Sequence, residues 1–162
     1  GSTGLEAIGY GPLAVGCWLL AVGCWLLAVG CWLHRIGNSF LFEAANVYKV
    51  DGFNQYLLLV EAYYTPGYGP RYFRSWTSSS LDGPWTPLAD TEANPFAGEN
   101  NVEWPQGKWS RGISHGELVR SGYDERLTID PCNLEFLYQG EAGTASSYGR
   151  IPYKLGLLRL KR

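Results

Sequence analysis

The sequence has little charge and no methionine. Charged residues make up 17% of the 162 positions and the formal net charge is −2. The chain therefore has no overall attraction for phosphate, and nucleic acid is excluded as a partner on this ground. It also contains no Walker loop, HExxH pair, CxxC pair or GxGxxG motif after a strand, which argues against nucleotide-binding, zinc-protease and redox proteins. Since no methionine occurs, we expect the natural start and any signal peptide to lie upstream of Gly1.

Cysteine is scarce outside one repeated unit. Three of the four cysteines are Cys17, Cys24 and Cys31, which occupy the same place in successive copies of that unit. Cys132 is the one cysteine in the remaining sequence. Cysteine spacing alone therefore leaves both a disulfide framework and a metal cluster undecided.

The repeated unit is LAVGCWL, which begins at Leu13 and is copied three times without change as far as Leu33. The uncharged run is long enough to span a bilayer as a helix, with one glycine per copy on the same face. The identity of the copies favours a recent tandem duplication or a misread reading frame, with a membrane anchor and a soluble core helix as the alternatives. We therefore separate residues 1–39, an anomalous N-terminal segment, from residues 40–162.

Glycine, proline and aromatic residues are abundant, which favours short strands and tight turns. The chain has 21 Gly, 9 Pro and 15% aromatic residues, so an all-β fold is expected. Turn signals recur about every ten residues after residue 40. The predicted strands are residues 46–50, 55–62, 71–78 and 85–88, and, after a long polar loop, 113–120, 126–129, 134–139 and 154–160. Each group of four strands has the size of one propeller blade, and two blades cannot close a ring by themselves.

One glutamate has apolar neighbours along the sequence. Glu43 lies within FLFEAAN, and apolar surroundings disfavour the charged form of a carboxyl group, as a general acid working near neutral pH requires. The alternative is a glutamate at the start of a strand that points to solvent. The sequence pattern alone leaves both interpretations open.

Three further residues could belong to a site. His115 is the one histidine outside the N-terminal segment, and a lone histidine cannot specify zinc. Glu117 would lie on the same side of a regular strand as His115, and Arg74 shares a strand face with Trp76. Each could equally be a structural or an exposed residue. The many tyrosine and tryptophan rings suit sugar binding as well as core packing.

Residues 40–160 contain a long ordered series of motifs: FEAANVYKV, YLLLVEA, RYFRSWTS, SLDGPWTPLADTEANPFAG, ISHGELVR, LTIDPCNLEFLYQG and IPYKLGLL. This series resembles glycoside hydrolase family 62 across almost every segment. It implies the C-terminal half of an α-L-arabinofuranosidase, an enzyme that removes arabinofuranosyl branches from arabinoxylan with inversion. The implied fold is a five-bladed β-propeller, of which this chain would hold about two blades.

The resemblance also implies roles for individual residues. Glu43, in the FEA motif, matches the general acid that protonates the leaving oxygen. His115 matches a histidine near a calcium ion in the propeller channel, and one protein ligand among waters suits that hard cation. Tyr148 matches the tyrosine that lines the xylan groove, although Gly149 follows it where asparagine is typical. The resemblance assigns two more residues to the substrate pocket: Arg74 and Glu117.

Some parts that the resemblance implies are missing. The family's two catalytic aspartates belong to blades that nothing before Phe40 resembles, so the chain alone is expected to be inactive. Cys132 would pair with a cysteine near the start of the family's domain. We expect a secreted, extracellular monomer that acts on arabinoxylan or arabinose-substituted xylo-oligosaccharides, with membrane contact only through the repeat. The alternative is a noncatalytic carbohydrate-binding or membrane-tethered propeller fragment.

Overall fold

The computed structural model describes residues 5–9, 41–64 and 69–161, which form strands and one short 3₁₀ helix. The strands are β1 (Leu5–Gly9), β2 (Asn46–Val50), β3 (Gln55–Tyr63), β4 (Arg71–Ser78), β5 (Thr86–Ala89), β6 (Val102–Glu103), β7 (Arg111–Leu118), β8 (Glu135–Glu141) and β9 (Tyr153–Leu160). The 3₁₀ helix is Tyr148–Arg150. The all-β prediction is confirmed. The LAVGCWL repeat lies outside the described residues, among which no helix is long and apolar enough to cross a membrane.

The first sheet has the strand order β2-β3-β4-β5 and is antiparallel throughout. Gly52 supplies the left-handed conformation of the β2–β3 turn, with φ of +72°, which glycine adopts without strain. Strands β2 and β4 have the predicted limits, and β3 extends to Tyr63. Strands β3 and β4 are buried along most of their length, because they occupy the middle of the sheet and β4 also contacts β7.

The second sheet has the order β6-β1-β9-β8-β7. Strand β1 pairs antiparallel with β9 and parallel with β6, so this sheet takes a strand from the segment that precedes the repeat. The predicted strand at residues 126–129 is wrong. Its residue Leu127 has φ of +53°, which interrupts a strand, and Ile129 makes only an isolated parallel bridge to Val50. Neither sheet closes on itself within the described part of the chain.

One hydrophobic core joins the two sheets. Its buried members are Tyr48, Val50, Leu57, Leu59, Phe73, Ala97, Val102, Ile113, Leu118, Ile129, Phe136, Tyr138 and Leu158. The rings of Phe73 and Phe136, one from each sheet, meet edge to face with centroids 4.9 Å apart, a favourable aromatic geometry. The buried Tyr48 hydroxyl accepts a hydrogen bond of 3.0 Å from the backbone N–H of Leu118. These contacts hold the two sheets together and so determine which polar residues meet between the sheets.

Candidate active site

Four chain segments meet where the two sheets touch: the segment before β2, the end of β3, the start of β4 and the middle of β7. Their polar side chains form a group that we call the carboxylate–arginine cluster, which consists of Glu43, Glu61, Arg71, Ser114 and His115. Glu61, Arg71 and Ser114 are buried, whereas Glu43 and His115 reach the surface. One side of the cluster is therefore closed to solvent, and the other side is open.

A single guanidinium links the two carboxylates. Arg71 Nη1 donates to Glu43 Oε1 at 3.0 Å and to Glu61 Oε1 at 2.9 Å, and it lies 3.2 Å from Ser114 Oγ. Burial on its own lowers the pKa of Arg71, but the hydrogen bond to Tyr148 and the charge of Glu61 outweigh burial and raise the pKa above its usual range. Arg71 is therefore a permanent cation between two carboxyl groups.

Glu61 is the fully buried member of the cluster, with 0% of its side chain exposed. Its Oε2 accepts the backbone N–H of His115 at 2.7 Å, and its Oε1 also accepts the Ser114 hydroxyl at 3.2 Å. Burial raises the pKa of Glu61, while the His115 hydrogen bond and the charge of Arg71 oppose that shift. Because both oxygens face donors, this arrangement fits the ionised carboxylate.

Glu43 lies at the open side of the cluster. Its carbonyl accepts a hydrogen bond of 3.0 Å from the backbone N–H of Glu61, and Ala44, with φ of +51°, then kinks the chain before β2. The Glu43 side chain is 36% exposed and contacts Arg71, and its Oε1 lies 3.5 Å from His115 Nε2. The prediction of apolar surroundings for this carboxyl group is wrong, since its polar neighbours are a guanidinium and an imidazole.

Three aromatic rings surround the guanidinium of Arg71. Its Cζ lies 4.8 Å from the centroid of the Phe42 ring, 5.4 Å from that of Tyr63 and 5.9 Å from that of Tyr148. Arg71 Nη2 also donates to the Tyr148 hydroxyl at 3.4 Å. Phe42 is 39% exposed and Tyr148 68% exposed, so both rings are partly open to solvent. Partly exposed aromatic rings suit the apolar side of a sugar ring.

The cluster offers few free ligands for a metal ion. Glu43, Glu61 and His115 bring ligand atoms within 4.8 Å of one another, but Arg71 already binds both carboxylates. A divalent cation held by all three groups would face that guanidinium at close range, so they do not fit such a site. The His115 ring is 44% exposed and its Nδ1 lies 3.2 Å from Ser114 Oγ. It fits a calcium ion only as a single protein ligand among waters.

Arg74 lies away from the cluster. It follows Arg71 by three positions on β4, so the two side chains lie on opposite faces of the sheet. Arg74 Nη2 lies 3.5 Å from Asp90 Oδ2, and its guanidinium is 5.1 Å from the centroid of the Trp76 ring. The substrate-binding role of Arg74 stays a prediction.

Glu117 also lies away from the cluster. It is half-buried and its Oε1 lies 3.5 Å from Arg120 Nη2. The expectation that Glu117 shares a side with His115 assumed a regular strand. The β7–β8 register shifts between Ser114 and Glu117, and His115 has φ of +40°, so the alternation of sides is broken there. The role of Glu117 in the substrate pocket stays a prediction.

Three members of the cluster were not predicted: Glu61, Arg71 and Ser114. A signal for Glu61 exists in the sequence, because a carboxylate inside the apolar run LLLVEA must find a buried partner. The β3–β4 register then identifies that partner. Glu61 pairs with Phe73, and Arg71, two residues before Phe73, lies on the same face as a diagonal neighbour. Ser114 carries no comparable signal.

The site has the parts needed for acid–base chemistry on a carbohydrate. A partly exposed carboxyl group lies beside a fixed cation, and that cation contacts two partly exposed aromatic rings. The carboxyl group can transfer a proton to a bound oxygen, and the rings can hold a sugar next to it. Such a combination on an all-β scaffold is compatible with a carbohydrate-active protein.

Comparison with known proteins identifies the family. The sequence profile of glycosyl hydrolase family 62 matches residues 34–159, which is more than half of the chain, and the chain belongs to this family. Alpha-L-arabinofuranosidase C of Cellvibrio japonicus is 75% identical over 126 residues, which are 78% of this chain and 20% of that protein. The chain thus spans only about one fifth of that relative.

Solved structures of the same family agree. The catalytic domain of the Coprinopsis cinerea GH62 α-L-arabinofuranosidase is 56% identical with a TM-score of 0.70, and the match covers 75% of this chain and 38% of that one. The α-L-arabinofuranosidase PaAbf62A from Podospora anserina, solved with cellotriose, is 48% identical with a TM-score of 0.70 over the same shares of the two chains. A GH62 hydrolase solved with xylotriose is 49% identical with a TM-score of 0.68, over 74% of this chain and 37% of its own.

Proposed function

We propose that this chain is part of an inverting α-L-arabinofuranosidase that removes arabinofuranosyl branches from arabinoxylan. The observation that carries the proposal is Glu43, the glutamate of the family's FEA motif, whose carboxyl group reaches solvent beside Arg71, which in turn contacts the partly exposed rings of Phe42 and Tyr148. The identity of 75% to a protein named Alpha-L-arabinofuranosidase C supports the same reaction. We also propose that the two sheets are two blades of a five-bladed propeller.

In this proposal Glu43 is the general acid. It gives its proton to the glycosidic oxygen as the bond to the arabinofuranosyl carbon breaks, while a base on the opposite side of the sugar activates water. An inverting pair of carboxyl groups needs a separation of about 6.5–9.5 Å so that water fits between them. Glu43 and Glu61 have ligand atoms within 4.8 Å of each other, so Glu61 is too close to be that base. The base belongs to the part of the family's domain that precedes residue 40.

The aromatic faces next to Glu43 are proposed to hold the substrate. Phe42 and Tyr148 flank Arg71, and both rings are open to solvent. A polymer chain can stack on such faces while a branch points to the acid. Family members solved with xylotriose and cellotriose support a linear β-linked backbone as the occupant. Because arabinoxylan is too large to enter a cell, we propose an extracellular location. We also propose that the protein is a monomer.

A chimera tests the proposed reaction. Residues 34–159 would replace the matching segment of the Coprinopsis cinerea catalytic domain, which supplies the rest of the fold. We expect this chimera to release arabinose from wheat arabinoxylan and the 162-residue chain alone to release none. Proton NMR during the reaction should show the inverted anomer first. A folded chimera that releases no arabinose would contradict the proposal, as would retention of configuration.

Calcium is proposed as a structural ion bound through His115. In the chimera, calcium should raise the melting temperature, and His115→Ala should abolish that rise because no second ligand compensates for the lost imidazole. Glu135→Gln is the matched control, since Glu135 pairs with Arg159 on the surface. Thermal unfolding with calcium or with a chelator provides the measurement. An undiminished calcium effect in the His115 variant would exclude this residue as the ligand.

A further inference from the structure

We propose that Glu61 is a positioning residue of the site: its buried carboxylate holds Arg71 and the backbone of His115 in place beneath Glu43. The inference rests on the proposed function, because it assigns Glu61 a part in the same reaction. Glu61 cannot touch a substrate, since its side chain is fully buried. Any effect of Glu61 on the reaction therefore passes through its neighbours.

Both carboxylate oxygens of Glu61 accept hydrogen bonds. Oε1 accepts Arg71 Nη1 at 2.9 Å and Ser114 Oγ at 3.2 Å, and Oε2 accepts the backbone N–H of His115 at 2.7 Å. A buried carboxylate is costly unless it is paired and hydrogen-bonded, and here charged and neutral donors satisfy it on both sides. These contacts connect β3, β4 and β7 at one point, so Glu61 fixes three strands relative to one another.

The geometry of Arg71 links Glu61 to the proposed acid. The same nitrogen, Nη1, donates to Glu61 and to Glu43. Of the two carboxylates, only Glu61 is enclosed, because Glu43 is 36% exposed. Glu61 therefore fixes the position of the guanidinium, and the guanidinium in turn fixes the position of the Glu43 carboxyl group. A displacement of about 1 Å at a reacting group can lower a rate about 100-fold.

Glu61 also supports an unusual backbone conformation. His115 has φ of +40°, which is uncommon for a residue other than glycine and needs support from its surroundings. Its N–H donates to Glu61 Oε2 at 2.7 Å, and in this conformation its ring places Nε2 3.5 Å from Glu43 Oε1. Loss of the carboxylate would release this backbone and move the imidazole away from Glu43.

Glutamine cannot take the place of Glu61. Its side chain offers one acceptor oxygen and one NH₂ group, whereas Arg71 and the His115 N–H both require an acceptor. In either orientation the amide NH₂ would face a donor. Glu61→Gln therefore keeps the volume of the side chain, but it removes the negative charge and one of the two acceptor oxygens.

The first test measures kinetics in the chimera of residues 34–159. Glu61→Gln is expected to lower kcat about 100-fold and to leave KM within about twofold, because substrate contacts stay while the acid is misplaced. Glu135→Gln, which changes a surface carboxylate paired with Arg159, should retain full activity. An unchanged kcat in Glu61→Gln, or a change confined to KM, would overturn the inference. Inactivity of the unsubstituted chimera would instead contradict the proposed function.

A double-mutant cycle separates positioning from a general loss of structure. Arg71→Lys keeps the charge but loses the rigid planar guanidinium, whose Nη1 donates to both carboxylates and whose Nη2 donates to Tyr148. Because part of the effect of Glu61 passes through Arg71, Glu61→Gln should lower kcat by a clearly smaller factor in the Arg71→Lys background than in the unsubstituted chimera. If the double variant lost kcat by the product of the two single losses, the inference would be overturned.

Two further measurements keep the inference testable if Glu61→Gln does not fold. Ser114→Ala removes one neutral hydrogen bond to Glu61 and should lower kcat about 3- to 10-fold at constant KM. An unchanged kcat in Ser114→Ala would overturn the inference.

The second measurement uses the full 162-residue chain. Amide hydrogen exchange followed by NMR should show protection of the His115 amide, and Ser114→Ala should weaken that protection. A His115 amide that exchanges as fast as an unstructured one would also overturn the inference.

Discussion

Replacing Glu43 with glutamine is expected to lower arabinose release from arabinoxylan by the chimera about 10²- to 10⁴-fold, the usual contribution of a general acid. The amide is nearly the same size as the carboxyl group and can still accept a hydrogen bond from Arg71, so the cluster should persist. It has no proton to give to the leaving oxygen. Initial rates of arabinose release, measured at saturating polymer, provide the test, with Glu135→Gln as the control.

A second substrate distinguishes proton transfer from other causes of lost activity. An aryl arabinofuranoside with an acidic phenol as leaving group needs little protonation, so Glu43→Gln should cleave it at a rate within about tenfold of the unsubstituted chimera. Equal losses on the polymer and on the activated aryl glycoside would show that Glu43 does not act as the acid. Equal rates of both proteins on the polymer would contradict any catalytic role for this residue.

The strands of the first sheet could be predicted because their signals are local. Strands β2 and β4 have the limits expected from apolar runs bounded by turn residues, and the turn at Gly52 requires a conformation that glycine adopts freely. The second sheet depends on distant pairings. Nothing local to Leu5–Gly9 indicates that this segment pairs with β9, and the apolar pattern at residues 126–129 is overridden by the left-handed conformation of Leu127.

Of the residues at the candidate site, only the more exposed ones were predicted from the sequence. Glu43, His115 and Tyr148 lie close to Arg71 or to one another, and their roles stay predictions. The buried part depends on strand register, which decides that Arg71 and not Arg74 faces the cluster. A sequence pattern shows that both arginines lie on one strand but not which face the neighbouring sheet covers. The same limit applies to Glu117, because the irregularity of β7 separates it from His115.

The site and the core are coupled, since both lie between the same two sheets. Strand β4 provides Arg71 to the cluster and Phe73 to the core, and β7 provides Ser114 to the cluster and Ile113 to the core. Each of these strands therefore places a polar contact close to an apolar one. A change that loosens the core should also disturb the cluster.

Phe136→Ala should strongly destabilise the fold, with a loss of about 3–5 kcal/mol in the free energy of unfolding, as is usual for a buried phenylalanine. The Phe136 side chain is 1% exposed, and its ring meets those of Phe73 and Phe96 at centroid distances of 4.9 and 5.7 Å. Gly116 lies against the same ring, since a Cβ added there would come within 2.1 Å of Phe136 Cζ. Loss of the ring therefore opens a cavity between the two sheets.

The neighbouring residue on β8 provides a matched control for that prediction. Leu137 points to the other face and is 40% exposed, so Leu137→Ala should lower the free energy of unfolding by less than about 1 kcal/mol. Urea unfolding of the 162-residue chain, followed by tryptophan fluorescence, compares the two variants with the unsubstituted protein. Comparable losses in both variants would mean that Phe136 does not join the sheets as its contacts indicate. If the ring does join them, Phe136→Ala in the chimera should also reduce kcat, because the core that holds β4 against β7 also holds Arg71 beneath Glu43.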